Sequence, residues 1–342
     1  MTAMAPSQVV ATAILFALTL YVLFGGADFG AGVWDLLARG PRATAQREVI
    51  SHAIGPVWEA NHVWLIIVIV LLFTGFPAAF ASITTNLHVP LSMMLVGIVL
   101  RGSAFTFRSY DNAKLNDRRW DRRFSWPSVV TPVLLGIVIG AIATGRLATR
   151  PEQPVSLFSV WLTPFPLAVG LFALAIFSFL AAVYLTLETA DPSLQDDFRR
   201  RSLISGVTVG ILAYVVYILA RTEAPLVVRG LGASSWGFVV RVATGTFAIV
   251  TLAGLWFRRY QVARAAVMVQ VTLILWGCAL AQYPYIVPPD LTVSGSAAPP
   301  QVQRLLIVTL AAGSLILFPS IYYLFRIFKV HTFHPASNRP GE

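Results

Sequence analysis

Nine long apolar runs constrain the fold of this chain more than any other feature. A helix that crosses a bilayer needs about 20 apolar residues. Charged residues make up only 12% of the sequence and apolar residues 57%, whereas about a quarter of a soluble domain is charged. The runs are too long for membrane strands, so the sequence predicts an all-α integral membrane protein. We expect one polytopic domain, residues 1–342, with nine transmembrane helices at roughly 8–37, 52–74, 78–102, 126–147, 160–187, 203–220, 236–256, 265–287 and 305–328.

The basic residues between these runs predict how the chain is oriented. If the nine spans are correct, 18 of the 25 basic residues fall on one side of the membrane and five on the other, while Arg101 and Arg241 lie at span ends. The positive-inside rule then places the amino terminus outside and the carboxyl terminus in the cytoplasm. The basic side carries Arg39, Arg42, Arg47, Arg108, Lys114, Arg118, Arg119, Arg122, Arg123, Arg199, Arg200, Arg201, Arg258, Arg259, Arg264, Arg326, Lys329 and Arg339.

Composition and motifs exclude several classes of function. The formal charge of +10 is accounted for by the loops, so we expect no nucleic-acid partner. Cys278 is the only cysteine, which excludes a disulfide within the chain and any cysteine-rich metal site. The sequence has no nucleophilic triad, phosphate-binding loop or paired-histidine haem signature. Redox chemistry would therefore need a cofactor in another chain. No internal repeat is visible, but the span count suggests two four-helix bundles plus one peripheral helix.

Residues 55–64, GPVWEANHVW, place polar groups in the first half of the second span. A charged group at the centre of a membrane helix costs at least about 2.5–3.5 kcal/mol. Glu59 therefore needs a partner, a water-filled path or a bound proton. Intramembrane acids most often have a function, which favours proton transfer, and a purely structural carboxylate is the alternative. Asn61 and His62 complete the polar group, and Trp58 near the span end suits an interfacial anchor.

Asp28 is the second intramembrane acid, within the glycine-rich residues 25–32 of the first span. The glycines predict a close helix-packing face, but packing alone does not require a carboxylate. Asp28 lies about 16 Å of helix from Arg39, and Glu59 about 10 Å from His52, so both acids fall in the cytoplasmic half. His52, Gly55, Glu59 and His62 lie within about 80° on a helical wheel. With Asp35 and His52 at the cytoplasmic mouth, these residues predict a polar lane leading inward.

Two further side chains allow more than one interpretation. His62 could in principle bind a metal or haem, but without a second ligand at suitable spacing it is expected to be a hydrogen-bonding core residue. Arg101, at the cytoplasmic end of the third span, is either a snorkelling anchor or the counter-charge of a buried acid. The candidate proton path therefore consists of Asp28, Asp35, His52, Trp58, Glu59, Asn61, His62 and Arg101.

Four stretches of the sequence together resemble subunit II of the cytochrome bd quinol oxidases. The most specific is GPVWEANHVWLI at 55–66, supported by DFGAG at 28–32, FRS at 107–109 and YPYIVP at 283–288. The resemblance extends over the whole chain and includes the number and orientation of the spans.

The resemblance implies a haem-free subunit of a membrane quinol:O2 oxidoreductase in a bacterial or archaeal cytoplasmic membrane. Subunit I of such an enzyme carries two haems b and one haem d, binds the quinol, and forms a pseudo-symmetric heterodimer with subunit II. Part of the proton route from the cytoplasm passes through subunit II, and Asp28 and Glu59 match its acids. Thr106 stands where some members have an acid, so Asp111, Asp117 or Asp121 could begin the path instead. Small single-span subunits and a structural lipid or quinone occur in some members.

Two other functions remain open at this stage. A proton-coupled transporter could use Asp28 and Glu59 as coupling acids, but it should show matching broken helices in its two halves. The Gly25-Gly26 pair and Pro56 have no counterpart later in the chain. A purely scaffolding subunit, in which the acids are structural, is the other alternative.

Overall fold

The computed structural model describes residues 4–54, 58–110, 118–150, 152–154 and 157–330, and side chains for 4–53, 60–103, 126–150, 152–154 and 157–323. Over these residues the regular structure is helical except for one small hairpin. The elements are α1 (Pro6–Leu20), a π-helical turn (Tyr21–Gly25), α2 (Gly26–Leu36), α3 (Ala43–Ile54), α4 (Trp58–Gly75), α5 (Pro77–Asn86), α6 (His88–Tyr110), α7 (Arg118–Ala143), α8 (Pro164–Leu185), α9 (Pro192–Glu223), α10 (Pro225–Ala233), α11 (Ser235–Trp256), α12 (Tyr260–Gln282), β1 (Tyr285–Val287), β2 (Leu291–Thr292) and α13 (Pro300–Val330).

Seven helices within the described ranges are long and apolar enough to cross a membrane, or eight if one bent pair counts as a span. The first is continuous from Pro6 to Leu36, through α1, the π turn and α2. The others are α7 from Trp126, α8, α9, α11, α12 and α13. The apolar part of α6 is shorter, from His88 to Ser103. The chain is therefore a multi-pass membrane protein, and α9, α11 and α13 expose many large apolar side chains.

The second and third predicted spans differ most from the structure. The sequence predicts one span at 52–74 and another at 78–102. The chain turns by 117° between α4, which ends at Gly75, and α5, and the residues of the predicted span 78–102 are divided between α5 and α6. Pro77 explains the bend, because it is the first residue of α5, lacks an amide hydrogen and restricts Phe76 before it. His52 belongs to a separate helix, α3, which packs against α2 and α8. Residues 55–57 lie outside the described residues.

Helix starts in this chain follow a common chemical pattern. Six helices begin with proline, whose fixed φ suits the first helical position, where no amide hydrogen is needed. Asp191 caps α9 by accepting a hydrogen bond from the Ser193 amide at 2.8 Å. Hydrogen bonding from Ser193 also lowers the pKa of Asp191 below its ordinary value. Ser234 caps α11 in the same way, accepting from the Gly237 amide at 3.1 Å. The prolines are Pro6, Pro77, Pro164, Pro192, Pro225 and Pro300.

The glycine-rich face of the first span packs closely on α8, which confirms the predicted packing role. A Cβ atom added to Gly30 would lie 1.9 Å from the Phe177 carbonyl oxygen, so only glycine fits there. A Cβ on Gly136 of α7 would lie 2.6 Å from the Val169 carbonyl oxygen. The helix α2 therefore lies directly against α7 and α8 at the centre of the molecule.

Replacing Gly30 by Ala is expected to destabilise the protein by about 3 kcal/mol, because the added methyl overlaps backbone and overpacking costs ~1–3 kcal/mol. Gly210→Ala is the matched control: this helical glycine of α9 has nothing within 4 Å of an added Cβ. Thermal unfolding of the two variants in detergent measures the difference. Equal unfolding midpoints would contradict the close α2–α8 packing.

Hydrogen bonds tie the ends of α4 and α5 to the loop after α7 and to the start of α13. Asn86 donates to the Ala148 carbonyl and accepts from the Ala148 amide, both at 2.9 Å. Gln303 Nε2 donates to the Gly75 carbonyl at 2.6 Å. The sequence predicts an extended loop over 288–304 and helices ending at 287 and starting at 305. Instead α12 ends at Gln282, the β1–β2 hairpin turns at Pro288–Asp290, and α13 begins at Pro300.

Candidate functional site

Asp28 is the centre of a buried polar cluster between α2, α4, α6 and α7. It lies in the first turn of α2, directly after the π-helical turn, and its side chain is 6% exposed. Asn61 of α4, 5% exposed, donates a hydrogen bond from Nδ2 to the Asp28 carboxylate Oδ2. Asp28 therefore lies beside the first turns of α4. π-Helical turns in α-helices are frequent at functional sites.

Arg101 is the cation of this cluster and is only 2% exposed. Its Nη2 donates to the main-chain carbonyl of Asp28 at 2.9 Å, and its Nε donates to Ser128 Oγ at 3.2 Å. Its guanidinium carbon lies 4.6 Å from the centre of the Phe29 ring. Of the two interpretations open from the sequence, a snorkelling anchor is excluded by this burial. Arg101 is instead a buried cation beside the Asp28 acid, joining α2, α6 and α7.

His62 lies next to Asn61 in an aromatic setting. The imidazole is half-buried, with ring centres 6.2 Å from Tyr21 and 6.1 Å from Phe29. Phe29 in turn stacks on Phe177 of α8 with centres 6.5 Å apart. The His62 imidazole therefore lies beside the rings of Tyr21 and Phe29, one residue after Asn61 and next to the residue that follows Asp28.

The sequence did not anticipate two side chains of the site, Tyr21 and Ser128, or Thr131, which lies one turn from Ser128 on α7. Tyr21 is seven residues before Asp28. The π turn that begins at Tyr21 changes the angle between these two residues, and a helical wheel drawn for a regular α-helix does not include this change. Ser128 and Thr131 are three residues apart on α7, so they share one face of the helix. This i, i+3 pair of hydroxyls in an apolar run is the signal that could have found them. Thr131 is fully buried, and its Oγ1 has no hydrogen-bond partner among the described residues.

Other predicted path residues lie outside this cluster or outside the described side chains. Asp35 is 1% exposed, in the last turn of α2. His52 is exposed on α3, where Nδ1 lies 2.8 Å from the carbonyl of Glu48 in the same helix. Trp58 and Glu59 form the first turn of α4, but their side chains lie outside the described residues. The same holds for the side chains of Thr106, Asp111, Asp117 and Asp121, so the predicted lane cannot be followed through them.

A second polar network holds α3 against α9 near the end of α2. Arg42 donates to both oxygens of Asp197, at 2.8 and 2.6 Å, and Gln46 Nε2 donates to the same carboxylate at 2.8 Å. Hydrogen bonding to Asp197 raises the pKa of Arg42 above its ordinary value. Arg201 donates to Gln46 Oε1 at 2.6 Å, and its guanidinium carbon lies 5.3 Å from the centre of the Trp34 ring. The network therefore fixes the end of the helix that carries Asp28 and Asp35.

The described residues contain no group of three His, Cys, Asp or Glu side chains that could hold a metal ion. The chemistry that the cluster itself supports is proton exchange. A carboxylate with an amide donor and a nearby guanidinium can hold a negative charge, and it can also take up a proton.

Comparison with known proteins gives one consistent result. The family model for cytochrome bd terminal oxidase subunit II matches residues 6–328. A Bacillus subtilis (strain 168) protein with the provisional description cytochrome bd menaquinol oxidase subunit II is 25% identical over 324 residues, covering 90% of this chain and 91% of that protein. Cytochrome bd-I ubiquinol oxidase subunit 2 of Escherichia coli K12 is 25% identical over 178 residues, covering 49% of this chain and 45% of that protein.

The fold is also similar to a solved structure. A chain in the structure of bd oxidase from Geobacillus thermodenitrificans has a TM-score of 0.76 at 23% sequence identity. The match covers 95% of this chain and 99% of that chain.

Proposed function

The chain belongs to the family of cytochrome bd terminal oxidase subunit II, and from that membership we propose that it is the haem-free subunit of a respiratory quinol oxidase. It supports the haem-bearing subunit I and helps deliver protons from the cytoplasm for the reduction of O2 to water. No complete active site is expected in this chain. The complex as a whole is an electrogenic enzyme that oxidises quinol.

The observation that carries the proton role is the buried Asp28 carboxylate with its two partners. Asn61 donates to the carboxylate, while Arg101 holds the main-chain carbonyl of the same residue. A buried acid with no purpose would be costly in a membrane, and burial of Arg101 adds to that cost. Alternation of Asp28 between its charged and neutral forms during turnover would explain why a buried acid is present despite this cost. The direct test is turnover of the assembled complex without this carboxylate.

We propose a path that begins at the cytoplasmic side near Asp35 and His52 and passes Trp58 and Glu59 at the start of α4. It reaches Asp28 and Asn61 and continues past His62 toward subunit I. Reduction of O2 to water takes up one proton for each electron. A block in proton delivery would therefore slow the reaction. Arg101 acts through Asp28, by fixing its backbone and balancing its charge.

The proposed topology has nine crossings, with the amino terminus outside and the carboxyl terminus in the cytoplasm. The two crossings beyond the seven long helices are α4 and α6. The apolar part of α6, from His88 to Ser103, is about 24 Å long at 1.5 Å per residue, which is short for a hydrocarbon core of about 30 Å. Two four-helix bundles with α13 at the edge remain the proposed arrangement, in the cytoplasmic membrane of a bacterium or archaeon.

The proposed partner is subunit I, which would hold two haems b and one haem d and oxidise the quinol. Small single-span subunits and a bound lipid or quinone are compatible additions. The absorption spectrum tests whether subunit I holds all the haems. The chain expressed alone should be colourless, whereas the complex purified through a tag on this chain should show the bands of both haem types. Haem bands from the chain alone would contradict the proposal.

A further inference from the structure

The turn between α11 and α12 presents two large aromatic side chains to the outside. Trp256 is 63% exposed and Phe257 is 73% exposed. The turn is rigid: the Arg259 amide donates to the Gly254 carbonyl at 2.7 Å, and the Arg258 amide donates to the Leu255 carbonyl at 3.3 Å. This is the hydrogen-bond pattern of a Schellman helix end. We call residues Trp256–Arg259 the α11–α12 corner.

The corner contains a residue in an unusual backbone conformation. Arg258 has a φ of 59°, in the left-handed region where glycine is the common residue. Its side chain explains why arginine stands there, because Nη2 lies 3.1 Å from the Asp196 carboxylate of α9. Arg199 also holds the corner, donating to the carbonyls of Leu255 at 2.7 Å and Trp256 at 3.0 Å. The aromatic pair is therefore held outward by contacts from a neighbouring helix.

The charge around the corner is strongly positive. Arg200 follows Arg199 on α9, on the same face as Asp196 by its i, i+4 spacing. Arg200 and Arg259 are exposed, and neither guanidinium has a contact recorded among the described residues. The guanidinium groups of Arg199 and Arg258 lie 3.9 and 3.1 Å from the Asp196 carboxylate. This leaves the charges of Arg200 and Arg259 uncompensated by that carboxylate. An exposed aromatic pair beside exposed arginines is the combination that suits the boundary between lipid headgroups and acyl chains.

We propose that the α11–α12 corner and Arg200 bind an anionic phospholipid of the cytoplasmic leaflet. The lipid phosphate would be held by Arg200, Arg258 and Arg259, while Trp256 and Phe257 pack against its glycerol and upper acyl region. A lipid is favoured over a free anion because only a lipid has apolar atoms that could pack against the aromatic pair. The inner leaflet supplies negative charge at this depth. This site rests on the proposed topology and does not depend on proton transfer through Asp28.

The test uses the assembled two-subunit complex and the double variant Arg200→Gln with Arg259→Gln. The matched control is Arg221→Gln with Arg229→Gln, which removes the same charge from two exposed arginines on α9 and α10. Retention of phosphatidylglycerol and phosphatidylcholine is measured by native mass spectrometry. Each arginine removed near an anionic surface should weaken phosphatidylglycerol binding about fivefold, and the pair about 25-fold, with phosphatidylcholine unchanged.

A second variant, Trp256→Ala with Phe257→Ala, should weaken binding of both lipids. Haem spectrum and turnover at saturating lipid should match wild type in all variants, which separates this test from that of the proton path. Equal lipid retention by the arginine variant and its control would overturn the proposal. Loss of subunit I from the arginine variant, without any change in lipid preference, would also overturn it, because a protein would then be the occupant.

Discussion

Replacing Asp28 by Asn should slow O2 reduction by the assembled complex about 100-fold, the scale of a positioned acid–base group. The amide has nearly the same shape and can still accept the hydrogen bond from Asn61. It cannot take up or release a proton, so a path through this position is blocked while the packing of α2 stays intact. Because Arg101 then remains buried without its counter-charge, less complex should assemble, and turnover is therefore compared per haem. Oxygen consumption with a soluble quinol measures turnover, and the absorption spectrum measures haem.

Asp290→Asn is the matched control for this variant. Asp290 is an exposed acid after β1, and its Oδ2 accepts a hydrogen bond from Thr149 Oγ1 at 2.6 Å. The same chemical change there should leave turnover unaltered. If Asp28→Asn kept normal turnover with full haem content, Asp28 would be a structural carboxylate. The purely scaffolding interpretation would then be favoured.

Replacing Arg101 by Gln should reduce both the assembly and the activity of the complex. Removing one partner of a buried charge pair costs about 3–5 kcal/mol, because the other charge remains buried. The variant also loses the bond to the Asp28 carbonyl and weakens the contact with Ser128. Recovery of the complex and its thermal midpoint should fall well below those of Arg241→Gln. Arg241 is the other arginine at a predicted span end, and it is exposed.

The double variant Arg101→Gln with Asp28→Asn separates stability from function. With both charges removed, no uncompensated charge remains in the cluster, so assembly should recover toward wild type. Turnover should stay low, because the proton-accepting carboxylate is still missing. A double variant that assembles as poorly as Arg101→Gln alone would show that Arg101 acts on packing and not through the Asp28 charge.

Much of this architecture is predictable because apolar length is a local property. The helices from α7 onward overlap the predicted runs, although α7, α9 and α12 begin earlier, α12 also ends earlier, and α13 is longer. The main difference lies in the predicted span 78–102, which the structure divides into α5 and α6 at Leu87. No proline or glycine stands at Leu87 itself, and the predicted run continues across it, so hydropathy alone does not locate the break. The hairpin at 285–292 contains two adjacent prolines, which suggest an extended loop when no pairing partner is known.

The site was partly predictable for a different reason. An acid in an apolar run is conspicuous, so Asp28 and the polar start of α4 were identified from the residues alone. The state of Arg101 could not be decided, because a span-end arginine can reach water or a buried acid and only tertiary packing selects between them. Tyr21 was missed since the π turn has no sequence signal. Ser128 and Thr131 were missed because hydroxyls are common in membrane helices and become informative only beside Gly32 and Gly97.

Proton uptake during a single turnover tests the central claim most directly. The complex is placed in liposomes, reduced, and exposed to O2 while a pH indicator reports on the cytoplasmic side. In Asp28→Asn the first electron transfers to O2 should proceed normally, and proton uptake should be delayed by about the same factor as steady-state turnover. Proton uptake as fast as in wild type, in a variant that retains its haems, would contradict the account.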